Sequence, residues 1–215
     1  MQYKTEHELI ETVKNSLERY KNGSSDFPFT IEKREFVPNE TPCGQCDHQT
    51  GTLIIYKDEP VIFAHELTHL LDSKNHPDWF THKYPYDVIH FINKSLKVYR
   101  MVDRDWRKIN PTKLRLAFVC LYILDPIEIR ANVIAYLATG VLPQYLEIIP
   151  ELEEFLIDNC NNFELTKNEM PDLTPEHIVK RYYNTLDFVK RKTEASGCRL
   201  LRSIENDPVF QKYGI

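Results

Sequence analysis

The stretch from Pro60 to Asp72 constrains this chain more tightly than any other. Its apolar residues recur at helical spacing, a proline stands at the first position, and Asn75-His76-Pro77 supplies the stop. On a wheel turning about 100° per residue, His65, His69 and Asp72 share one narrow sector with Glu66 beside them. Phe63, Ala64, Leu67, Leu70 and Leu71 gather on the other side, which anchors the helix in a core and so fixes where the polar side points. His65-Glu66-Leu67-Thr68-His69 is the HExxH pattern, in which two imidazoles four residues apart can grip one zinc ion while the carboxylate points beside it.

A catalytic zinc takes three protein ligands and keeps a fourth position for water, so two histidines are not sufficient. Bound zinc lowers the pKa of that water toward about 7. A neighbouring carboxylate can then take its proton and pass it to a leaving amine, and Glu66 is placed for that work. A zinc metallopeptidase is therefore the first expectation. The pattern is short, and His7-Glu8-Leu9-Ile10-Glu11 lacks only its second histidine. What separates the two is setting: the full match lies in an apolar helix directly after the apolar strand Thr52 to Tyr56.

For the third ligand, the metzincin pattern requires glycine at position 72 and histidine at position 75, where this chain has Asp72 and Asn75. His76 misses that spacing by one residue and reads as a loop histidine. The carboxylate candidate is Glu128, at the start of a strongly apolar helix. Asp125, Pro126 and Glu128 also fit the N-cap, N1 and N3 positions of a capping-box-like start, so spacing alone allows Glu128 to be either a ligand or a cap. Asp72 is open in the same way, either orienting a metal-bound imidazole or facing solvent near the helix end.

Glu128-Ile129-Arg130-Ala131-Asn132 through Leu142-Pro143, following His65 to His69, resembles the ExxAN segment with trailing proline of ImmA/IrrE-type zinc metallopeptidases. The Glu-Ile-Arg-Ala string is also similar to the corresponding segment of the mitochondrial metallopeptidase that processes an ATP-synthase subunit. The resemblance implies a zincin-like fold, a zinc site of His65, His69 and Glu128, and a protein or peptide substrate. It spans the strand at 52–56, the motif helix and residues 126–143, under half of the chain. Thr68 stands where that family usually has glycine, and Arg130 where it has an acidic residue. The long interval between His69 and Glu128 leaves room for an additional helix.

At 215 residues and 42% hydrophobic content, one domain over 1–215 is expected. The 27 basic residues are interspersed among 32 acidic ones for a net charge of −5, so no nucleic-acid partner is expected. Lys180-Arg181 and Lys190-Arg191-Lys192 read as the solvated face of a helix that also carries Ile178, Leu186 and Val189. The amino terminus shows no apolar signal core, which predicts a cytoplasmic protein. The longest apolar run, Leu116 to Leu124, falls short of the roughly 20 residues of a membrane span, so no membrane insertion is expected. Five cysteines, an odd and sparse set, predict reduced thiols. Cys43-Gly44-Gln45-Cys46 with His48 is half of a structural zinc site without a second CxxC, and reads as a turn carrying two thiols.

The patterns predict helices at Thr5–Tyr20, Pro60–Asp72, 84–106, 111–124, 126–139, 150–160 and 175–193, and strands within 27–37 and at 52–56, with a turn-rich stretch between the strands. The expected fold class is α+β, a predominantly helical zincin-like domain with a small N-terminal antiparallel sheet. His82, His90, Tyr99 and Tyr136 are candidates for stabilising an oxyanion, with none preferred. The main rival function is a zincin-fold regulatory or interaction module with a structural or vestigial metal site, and the intact Glu66 argues against it. A metal-dependent hydrolase acting on a non-peptide bond is a second rival. Oligomeric state has no signature in the sequence.

Overall fold

The computed structural model describes residues 5–19, 28–38, 42–77, 122–143 and 175–206. Most of the helix expected at 111–124, those at 84–106 and 150–160, and Cys120, Cys160, His82, His90 and Tyr99 lie outside the described residues. The chain divides into two compact units, Met1–Phe80 with Arg130–Pro143, and Thr81–Ile129 with Gln144–Ile215.

In the first unit, α1 (Glu6–Arg19) buries Leu9, Val13 and Leu17, the apolar stripe visible in the sequence. Its start is a reciprocal cap, with the Glu8 amide donating to Thr5 Oγ1 and the Thr5 amide donating to Glu8 Oε2. The incomplete motif at His7 to Glu11 therefore belongs to a helix cap. Strands β1 (Thr30–Lys33), β2 (Gly44–Asp47) and β3 (Thr52–Ile55) form one sheet in the order β1-β3-β2.

The chain is predominantly helical with a small N-terminal sheet, as expected, but the sheet is mixed instead of antiparallel. β2 pairs antiparallel with β3, and β1 pairs parallel with it. The cause lies in burial. β3 is the only apolar strand of the three, so it takes the centre, and two strands that run the same way become neighbours. β2 falls where a turn was expected. Its residues have no strand preference of their own and are held extended by the β3 ladder and by a tight turn, where Asp47 Oδ1 accepts from the amides of Gln49 and Thr50.

Helix α2 (Pro60–Asn75) starts at its proline and is capped at the end by the His76 amide, which donates to the Asp72 carbonyl. It is buried nearly all round; within the motif only Glu66 is half-buried. Helix α3 (Pro126–Thr139) matches its predicted span and buries Ile127, Ile129, Ala131, Val133, Ile134, Ala135 and Ala138. It ends at Gly140, whose φ of 72° is the left-handed conformation that glycine adopts without steric cost.

In the second unit, α4 (Pro175–Arg191) packs against α5 (Glu194–Glu205). The predicted helix stops two residues early, because Lys192 turns left-handed at φ 50° and Thr193 opens α5 with a capping box shared with Ser196. The interior of this pair is Tyr182, Phe188, Val189, Leu200, Leu201 and Ile204. Among the described residues no helix is long and apolar enough to cross a membrane.

Candidate metal centre

One helical turn of α2 brings His65 Nε2 within 3.0 Å of His69 Nε2, with the rings edge-on at 86°. Both imidazoles are buried, at 3% and 7% exposure. Glu128, on the first turn of α3, completes the group. One ligand atom from each of the three residues lies within 4.8 Å of the other two. Two nitrogens bound to one tetrahedral zinc at about 2.0–2.1 Å stand about 3.3 Å apart, so the histidine pair needs to open by only a few tenths of an ångström. Imidazole nitrogen and carboxylate oxygen are also donors that zinc prefers. The residues fit the ion.

Glu128 reaches this position through its own helix. Two residues further on, Arg130 donates Nε–H to Asp72 Oδ2 at 2.7 Å and Nη2–H to Asp72 Oδ1 at 3.3 Å. The guanidinium is 3% exposed and the carboxylate 0%, so this is a buried, forked ion pair between the two helices that carry the cluster. Neither reading of Asp72 from the sequence survives. It does not face solvent, and its carboxylate is engaged by Arg130 instead of by an imidazole. The start of α3 is capped by Asp125, whose Oδ1 accepts from the Ile127 amide at 2.9 Å.

Glu66 lies against β2. A Cβ on residue 44 would come within 2.7 Å of Glu66 Cγ, 2.8 Å of Ile62 Cγ2 and 3.1 Å of Glu66 Oε1. Glycine at 44 is therefore what lets the strand and the motif helix approach this closely. Gly44→Ala is expected to destabilise the fold by about 1–3 kcal/mol through overpacking, read as a lowered midpoint in urea, with zinc content unchanged. No sequence signal distinguished this glycine from an ordinary turn residue.

The chain leaving β2 also borders α2. Lys74 Nζ donates to the His48 carbonyl at 3.1 Å, and Cys46 Sγ sits 3.6 Å from both ring nitrogens of His48. Burial pushes the His48 pKa down, His69 and Lys74 push the same way, and Asp47 opposes them. Burial likewise raises the Cys43 thiol and lowers His76. Among the described residues Cys43, Cys46 and Cys198 are thiols outside any disulfide, and the only group of three that could hold a metal is His65, His69 and Glu128. His76 is not part of it. Tyr136 lies two turns along α3, about 12 Å from Glu128 measured along the axis.

Comparison with protein-family models, with curated proteins and with solved structures finds no match. The class is defined by the molecule itself: a predominantly helical α+β chain whose buried His/His/Glu cluster suits the zinc triad typical of zincin folds.

Proposed function

We propose that this chain is a zinc-dependent metallopeptidase that hydrolyses peptide bonds in a protein or peptide substrate, most like the ImmA/IrrE-type enzymes. The observation that carries the proposal is the convergence of His65, His69 and Glu128 from two helices onto one point. When bound there, zinc would acidify a water and polarise the scissile carbonyl. Glu66, adjacent in sequence to His65 and half-buried, takes the proton from the attacking water and delivers it to the leaving amine. The Asp72–Arg130 pair holds the start of α3 in register with the histidines. β2 is an edge of the sheet formed by the described residues and touches Glu66 through Gly44, a setting suited to an extended peptide backbone. Among the described residues Cys43, Cys46 and Cys198 lie outside any disulfide, which accords with a reducing, cytoplasmic setting.

Metal analysis of purified protein tests the ligand set. Wild type is expected to hold about one zinc per chain, and His69→Ala and Glu128→Ala to lose most of it while staying folded. Stoichiometric zinc in folded Glu128→Ala would remove Glu128 from the site.

A further inference from the structure

The second unit carries a separate feature that the peptidase proposal does not use. Along α4, His177, Lys180, Arg181 and Asn184 recur at three, four and seven residues, which places them on one helical face. Along α5, Arg199, Arg202 and Ser203 repeat the same spacing. These two faces line one cleft of about 530 Å³, within the range of small-molecule sites. Among the described residues that line it, four are permanently basic and none is acidic.

The cleft is built rather than incidental. Arg181 is only 4% exposed, and its Nη1 donates to the Leu124 carbonyl at 3.4 Å. Asn184 Nδ2 donates to Ser203 Oγ at 2.6 Å, a bond that ties the two helices together across the cleft. Arg202 is steadied by its Nε–H on the Cys198 carbonyl at 3.3 Å. Beside the cleft, Asp187 Oδ2 lies 3.5 Å from Arg199 Nη2, while its Oδ1 is held by Arg191. Two arginines share that one carboxylate, and Lys180 and Arg202 bring further positive charge to the same lining.

We infer that this cleft binds a small molecule bearing a pair of linked phosphate groups. Guanidinium groups fork onto phosphate oxygens, and Lys180 adds a point charge. Cations supplied by two facing helices favour a ligand with several negative charges over a singly charged one. Among the described residues the lining contains no Phe, Tyr or Trp on which bases could stack, which favours a compact polyphosphate over single-stranded nucleic acid.

Calorimetric titration of the full chain with sodium pyrophosphate, at fixed ionic strength, tests the inference against sulfate and a short single-stranded oligonucleotide. Saturable one-to-one binding of pyrophosphate, well ahead of sulfate, is expected. Lys180→Gln/Arg202→Gln, both at exposed positions, should weaken it about tenfold or more. Arg199→Gln should weaken it in the same direction. Zinc content and the urea midpoint of these variants should stay at wild-type values, because the metal cluster contains none of these residues. Absence of saturation, equal response to sulfate, or unchanged binding in the double variant would each overturn the site. Tighter binding of the oligonucleotide, weakened by the same substitutions, would overturn it in favour of a nucleic-acid backbone.

Discussion

Glu66→Gln is expected to keep its zinc and lose about 10²–10⁴-fold in peptide hydrolysis. The substitution is nearly isosteric, so the contact with Gly44 and the flank of α2 is preserved, and neither His65 nor His69 is touched. What disappears is the ability to accept a proton from water and hand it on, which is the whole role assigned to this side chain. The measurement is chelator-sensitive cleavage of a panel of proteins and peptides by wild type and variant, with zinc determined on the same preparations. Equal cleavage by both would sink the mechanism. A wild type that holds stoichiometric zinc but shows no chelator-sensitive cleavage across the panel would instead favour a regulatory or interaction module built on the same cluster.

Asp72→Ala should be strongly destabilising, costing about 3–5 kcal/mol. It leaves the Arg130 guanidinium, 3% exposed, without the carboxylate that compensates it. Against a total stability of about 5–15 kcal/mol, that loss brings the first unit near unfolding. Urea unfolding of Asp72→Ala, Arg130→Met and the double variant separates the pair from its surroundings. The double variant should recover part of the loss, because a buried charge without its partner costs more than an apolar pair in the same space. Zinc affinity should fall in the single variants, since the first turn of α3 loses its tie to α2. A cost under about 1 kcal/mol would show that other packing positions Glu128.

How far the site could be read in advance follows from the range of the interactions involved. The two histidines needed nothing beyond α-helix periodicity, which is why their juxtaposition was visible in five residues. Glu128 was visible only as an alternative between cap and ligand, because a capping box and a ligand-bearing turn place the same residue types at the same spacing. Asp72 was read as an imidazole partner or a solvent-facing acid, and its actual partner, Arg130, was not paired with it. They are 58 residues apart, and nothing local to either one identifies the other. Gly44 and β2 were hidden for a related reason: a strand without strand-forming residues exists only through its partner, here β3.

The same division runs through the whole chain. Sequence by itself determined the existence of α1, α2 and α3, with α2 running three residues past its predicted end at Asp72, together with the buried stripe of α1, the proline starts of α2 and α3, and the shared face of His65 and His69. Each depends on backbone preferences and apolar periodicity within one segment. Tertiary structure alone decided the parallel pairing of β1 with β3, the burial of the motif's polar side, the arrival of Glu128 beside the histidines, and the joining of two basic helix faces into one cleft. Those outcomes depend on which surfaces exclude water together, and that is a property of segments far apart in the chain.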